Sequence, residues 1–154
     1  MILLPIFLLA SVAAAATGVI FKPGAWYDGL RKPGFTPPKW AFPVAWTLIY
    51  LLSAAAATRV AGLPGAGAAL ALWAAQIALN TLWTPVFFGA RRMALGMAII
   101  ATLLVTVAAM TVTFWSLDRI AGAMLLPYLA WLGVASGLNW RFWRDNPAVP
   151  RPGA

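Results

Sequence analysis

Cysteine, histidine and glutamate are all missing from this 154-residue chain, and its only acids are Asp28, Asp118 and Asp145. Without Cys there is no disulfide framework, thiol nucleophile or thiolate metal site. Without His and Glu, three scattered aspartates cannot make a carboxylate pair or a catalytic triad, so the sequence predicts no conventional enzyme centre, no metal and no obligatory cofactor. Charge of either sign is scarce: 9% of residues are charged and 63% hydrophobic, against roughly 25% charged in a soluble domain. A proton-driven pump places an ionisable group within the bilayer, and the apolar runs here contain none.

What is present is apolar sequence in runs of about twenty residues, the length that crosses a bilayer as a helix. The period-two alternation of a membrane β-barrel is absent. The fold class predicted is therefore an all-α integral membrane protein, a single domain of five transmembrane helices over residues 2–21, 42–58, 68–88, 93–117 and 120–140. A loop over 22–41 joins the first two, and polar sequence begins at Arg141 and includes a tail over 147–154. The alanine-rich second half of the first run imitates a signal-peptide cleavage region, but the basic segment that should precede it is missing, and it is read as a span. Pro43 falls in the first turn of the second span, where a missing N–H costs little. Gly62-Leu63-Pro64-Gly65 ends that span.

The net charge of +8 does not form a continuous basic face, so the cations read as topology signals and headgroup contacts rather than a nucleic-acid surface. Nine fall on one side: Lys22, Arg31, Lys32, Lys39, Arg91, Arg92, Arg141, Arg144 and Arg151. Two, Arg59 and Arg119, fall on the other. The expectation is that the first loop and the C-terminus face the cytoplasm.

The largest stretch outside the apolar runs, WYDGLRKPGFTPPKWAFPVAW from Trp26 to Trp46, packs three Trp, a Tyr, two Phe and four Pro beside Arg31, Lys32 and Lys39. Beneath it, three helix faces repeat aromatic and polar residues at helical spacing: Trp46, Tyr50 and Ser53; Gln76, Asn80, Trp83 and Phe87; Tyr128, Trp131, Ala135 and Asn139. At ~1.5 Å rise per residue from the loop-side helix ends, Trp46 lies about 6 Å deep, Tyr50 and Asn80 about 12 Å and Trp131 about 14 Å. Two readings compete. Trp and Tyr near helix ends form interfacial belts, the role assigned to Trp26, Trp40, Trp73, Trp115, Trp140 and Trp143, while Gln76 and Asn80 bond a neighbouring helix. Alternatively the three faces line a small-molecule pocket. Trp faces suit a planar aromatic ligand and cations at the mouth suit a carboxylate edge, as in a tetrapyrrole with propionates. Lacking His and Cys, the chain fits a metal-free porphyrin better than tightly ligated haem, for which Tyr and Met are the remaining candidate ligands.

Three motifs in order, the Trp26–Trp46 run, QIALNTLWTPVFFG from Gln76 to Gly89 and PYLAWLGVASGLNW from Pro127 to Trp140, make the chain resemble the TspO/MBR family over nearly its whole length. These are the tryptophan-rich sensory proteins related to the mitochondrial translocator protein, or peripheral benzodiazepine receptor. The resemblance implies a homodimeric five-helix bundle that binds porphyrins such as protoporphyrin IX, with transport or light-dependent porphyrin degradation as associated activities. It implies ligand-binding roles for Trp46, Asn80, Trp83, Trp131 and Ala135, to which the helix faces add Tyr50, Phe87 and Tyr128. It implies a lid carrying Trp26, Tyr27, Asp28 and Pro37, with Lys32, Phe35 and Trp40 in the same loop. Many relatives have an aromatic, often Trp, where this chain has Phe35, and some also at Gly34, so the lid stacks less strongly here. The sterol segment normally carries a Tyr where this chain reads LNWRFWR from Leu138 to Arg144. The bacterial inner and outer membranes both stay open.

The competing classes are a structural or partner-binding membrane subunit and a small-lipid or sterol carrier. Gly133 and Gly137 form one small-residue seam and Gly67, Ala71 and Ala75 another. The third helix is the preferred dimer seam, because the resemblance points there and Gly133 and Gly137 flank Ala135.

Overall fold

The computed structural model describes residues 3–147. Within them the chain is helical, with no strand. The elements are α1 (Leu3–Ile20), a one-turn α2 (Ala25–Asp28), α3 (Ala41–Val60), α4 (Ala66–Thr84) continued by a π-helical turn (Pro85–Gly89), α5 (Met93–Leu117), α6 (Arg119–Met124) and α7 (Leu126–Asp145). Five units have the length and apolarity to cross a membrane: Leu3–Ile20, Ala41–Val60, Ala66–Gly89, Met93–Leu117 and Arg119–Asp145.

The helices close into a ring in which α1 lies between α3 and α4, α5 between α4 and α7, and α6 returns against α3. Inside it Ile49, Val60, Ile100, Leu103, Val107, Met110, Phe114 and Leu132 are buried together. Outside, Leu9, Val12, Val19, Val105 and Val112 are exposed. Apolar side chains on both faces of the same helices are what a bilayer solvent requires, because lipid and core are equally apolar.

The helix ends have local causes. Asp118 is extended (φ −150°, ψ 113°), which stops α5, and its carboxylate caps α6 by accepting the N–H groups of Ile120 and Ala121 at 2.8 and 3.1 Å. The same carboxylate pairs with Arg59 at 2.7 Å, tying the end of α3 to the turn between α5 and α6. The Ala121 N–H bond, with Arg59 adding to it, holds the Asp118 carboxyl below the usual carboxylate range. Gly122 then lets α6 pass against α5: a Cβ there would lie 2.6 Å from the Cα of Trp115.

The fifth span differs from its expected form in two ways. It is broken at Leu125, because Pro127 cannot supply an N–H to continue the ladder. It also continues past Trp140 to Asp145, so Arg141 and Arg144 are helical rather than the start of a tail. Arg141 and Asp145 pair at 2.7 Å one turn apart, which supports that polar extension. Of the expected tail over 147–154, all but Pro147 lies outside the described residues.

At the loop end of α4, Pro85 opens a π turn in which Ala90 donates to the Pro85 carbonyl (2.8 Å) and Arg92 to that of Val86 (3.1 Å). Arg91 follows with a left-handed backbone (φ 55°), turning the chain sharply into α5. A π turn holds an extra residue per turn and often marks a functional site. Here Phe87 and Phe88, adjacent in sequence, both pack beneath the loop.

Candidate functional site

The lid begins at α2. Tyr27 is buried, with its ring edge-on to Phe88 and Phe142, each at 5.5 Å. Lys32 donates to the Asp28 carbonyl (2.9 Å) and sits 5.0 Å over the Tyr27 ring, and Lys39 pairs with the Asp28 carboxylate at 2.9 Å. The Lys39 hydrogen bond and charge hold the Asp28 carboxyl below its ordinary range, while burial, with the Asp28 charge, pushes the Tyr27 phenol up. Trp26 packs edge-on to Phe87 at 5.9 Å, and the Arg91 guanidinium stands over the Trp26 ring, 5.9 Å from its centroid. Pro37 is half-buried, whereas Phe35 and Trp40 are 54% and 68% exposed. The Phe35 ring edge nonetheless reaches α7: a Cβ on Gly137 would lie 3.7 Å from it. The far end of the lid is fastened by Asn146, whose Oδ1 accepts the Arg31 N–H (2.8 Å) and whose Nδ2 donates to the Arg31 carbonyl (3.2 Å).

Below the lid, α3, α4 and α7 converge because their aromatic faces recur at helical spacing. Trp46 packs on Tyr50 at 5.6 Å and edge-on to Tyr128 at 6.1 Å. The Tyr128 hydroxyl donates to Gln76 Oε1 (2.9 Å), and Asn80 Nδ2 donates to that same oxygen (3.1 Å) and to the Tyr128 hydroxyl. One turn nearer the loop, Trp83 stacks on Phe87 at 4.9 Å and donates from Nε1 to Asn139 Oδ1 at 3.3 Å. Asn139 Nδ2 in turn donates to the Met93 carbonyl at 3.0 Å. Trp131 meets Phe42 edge-on at 5.5 Å, and Ala135 is half-buried one turn further along α7.

Six side-chain polar atoms are buried without a hydrogen-bond partner among the described residues: Trp26 Nε1, Ser53 Oγ, Trp73 Nε1, Gln76 Nε2, Trp131 Nε1 and Ser136 Oγ. Of these, Gln76 Nε2 and Trp131 Nε1 are donors on the aromatic faces of α4 and α7, and Ser53 lies on the α3 face that carries Trp46 and Tyr50. Beside Trp131, a groove of about 290 Å³ opens between α3 and α7, lined by Ala45, Leu48, Ile49, Pro127, Ala130, Trp131 and Val134. Its surface is almost wholly apolar, which suits an apolar ring, and the Trp131 Nε1 lies buried behind it. Asn80, Phe87 and Tyr128 are fully engaged in the packed interior, while Trp46, Tyr50, Trp83, Trp131 and Ala135 keep partly open surfaces.

The sequence reading overlooked Phe42 and Asn146. Phe42 lies one turn before Trp46 on the same face, a spacing that signals it. Asn146 touches the lid 115 residues away, and nothing local marks it.

Fold and site together define a multi-pass integral membrane protein whose helices enclose an aromatic, hydrogen-bonded interior beneath a structured lid. Residues 1–144 match the model of the TspO/MBR family. The chain is 51% identical over 140 residues to a tryptophan-rich sensory protein of Cereibacter sphaeroides, covering 91% of this chain and 89% of that one. It is 50% identical over 149 residues to the protein CrtK of Rhodobacter capsulatus (94% and 93% covered), and 40% identical over 128 residues to the human translocator protein (79% and 75%). The chain belongs to the TspO/MBR family.

Proposed function

We propose that this protein binds a porphyrin-type tetrapyrrole, such as metal-free protoporphyrin IX, between α3, α4 and α7 beneath the lid. One observation carries the reading: Trp46 and Tyr50 of α3 pack with Tyr128 of α7 beside Gln76, whose Nε2 is an unpartnered donor, and Trp131, one turn further along α7 and with its own unpartnered Nε1, meets Phe42. Flat indole and phenol faces favour a planar ring, and buried donors without acceptors favour a ligand that carries them. The cations above, Arg31, Lys32 and Arg91 on or beside the lid, suit the propionate edge. The names of the relatives, sensory protein and translocator protein, fit a binding protein whose output is signalling or movement of the ligand. Light-dependent degradation would draw on the oxidisable indoles of Trp46 and Trp131 beside a bound photosensitiser, not on acid–base groups.

A homodimer through α4 completes the proposal. Gly67, Ala71 and Ala75 form an exposed stripe of small residues on that helix, and a Cβ on Gly67 would meet nothing within 4 Å. Such stripes let two membrane helices approach closely. The sterol-carrier alternative has less support, since such motifs are weak recognition signals even when intact and LNWRFWR lacks the usual Tyr.

Titrating the detergent-purified protein with protoporphyrin IX while following Trp fluorescence and the Soret band tests the pocket. Saturable quenching is expected, with Kd raised about tenfold in Trp131→Phe, the equivalent of about 1.4 kcal/mol. Absence of saturation, or unchanged Kd in both Trp46→Phe and Trp131→Phe, would remove the pocket as drawn.

A further inference from the structure

The lid is held down from the far end of the chain. Asn146 follows the last turn of α7, is buried, and uses both ends of its amide on a single lid residue: Oδ1 takes the Arg31 N–H and Nδ2 gives to the Arg31 carbonyl. Nδ2 also donates to the Phe142 carbonyl at 3.1 Å, which fixes the amide's orientation on its own helix. Two opposed bonds to the N–H and C=O of one residue reproduce a strand-like pairing, and among the described residues no other polar side chain from outside the loop bonds the lid backbone. The other lid contacts with α7 and the π-turn region are aromatic edges, the buried Leu30 and the Arg91 guanidinium over Trp26, none of which is a hydrogen bond to the lid backbone. The Lys32 and Lys39 bonds to Asp28 lie within the loop and move with it.

We propose that Asn146 is a positioning residue that latches the lid, so that release of its amide from Arg31 sets how fast a ligand reaches the interior. This rests on the binding reading above but is measurable without it. The latch couples the lid to the tilt and length of α7: any motion of its last turn is felt at Arg31, while Trp131, 15 residues before Asn146 and on that helix, lines the interior. The two polar ends of an amide cannot be replaced by one acceptor. Asn146→Ala therefore frees both Arg31 groups, whereas Asn146→Asp keeps an acceptor for the N–H but turns a carboxylate oxygen toward two carbonyls.

Hydrogen–deuterium exchange of the detergent-solubilised protein, read by mass spectrometry on peptides containing Arg31 and Lys32, tests the latch directly. Exchange there should quicken at least tenfold in Asn146→Ala and by less in Asn146→Asp, with peptides from the middle of α5 unchanged. Stopped-flow mixing with protoporphyrin IX should then show association and dissociation accelerated together, leaving Kd within about threefold of the parent. Unchanged exchange at Arg31 in both variants would overturn the latch. Faster exchange with unchanged association would overturn its control of access. Should the parent bind no porphyrin, the binding reading falls while the exchange result still decides the latch. If Asn146→Ala does not fold, the graded response of Asn146→Asp serves alone.

Discussion

Tyr128 shows how a single residue divides between packing and polarity in this interior. Its ring is held edge-on by Trp46, and its hydroxyl both donates to Gln76 and accepts from Asn80. In lipid-facing bundles such bonds contribute modestly, on average about 0.6 kcal/mol, because the less folded state also finds partners. Removing the hydroxyl leaves neither amide stranded, since Asn80 still donates to Gln76 Oε1. Tyr128→Phe is therefore expected to cost between about 0.6 and 1.5 kcal/mol in a reversible detergent or denaturant titration. A loss well above that range would show that the hydroxyl serves more than this triad. Gln76 itself was visible in the sequence as part of a polar helix face, but which of its two polar atoms is satisfied depends on where Tyr128 and Asn80 stand, and periodicity does not report that.

Among the elements, α6 and α7 show what a linear pattern reveals and what it hides. The apolar length from Ile120 onward announces a span because hydropathy is a property of the sequence alone. The break at Leu125 has a visible cause in Pro127, yet the need for it comes from α6 lying on both α5 and α3. Gly122 makes that crossing: a Cβ would stand 2.6 Å from the Trp115 Cα and 2.8 Å from its N, atoms that cannot rotate away. Overpacking against backbone typically costs about 1–3 kcal/mol, outweighing the helix-propensity gain of about 1 kcal/mol for replacing Gly. Gly122→Ala should lower the melting temperature in detergent, while Gly133→Ala, whose Cβ would meet nothing within 4 Å, should leave the protomer as stable or more so. If Gly133→Ala instead broke a dimer detected by light scattering, the α7 seam would replace α4 as the dimer face. The π turn was similarly illegible, because Phe87 and Phe88 read as one residue inward and one outward until the extra residue per turn packs both under the lid.

For the molecule as a whole, two cross-links fix which loops share a side. Arg31 meets Asn146 at one end of the bundle, and Arg59 meets Asp118 at the other. This divides the termini of the spans without saying which end faces the cytoplasm, and the basic residues predict that step: among the described residues the lid end holds eight Lys and Arg and the other end two. Pairing sharpens the bias, since Arg59 is neutralised by Asp118, whereas on the lid end only Lys39 and Arg141 have an ion-pair partner among the described residues. The natural absence of cysteine makes the prediction clean to test. Gly34→Cys lies in the lid and Gly62→Cys in the turn after α3, both at exposed loop positions where a Cβ would meet nothing within 4 Å. A membrane-impermeant maleimide added to intact spheroplasts should modify Gly62→Cys at once and Gly34→Cys only after the membrane is opened. The reverse pattern would place the lid on the outer side, and the ligand would then arrive from outside the cell; equal labelling of both would mean that charge asymmetry does not orient this bundle.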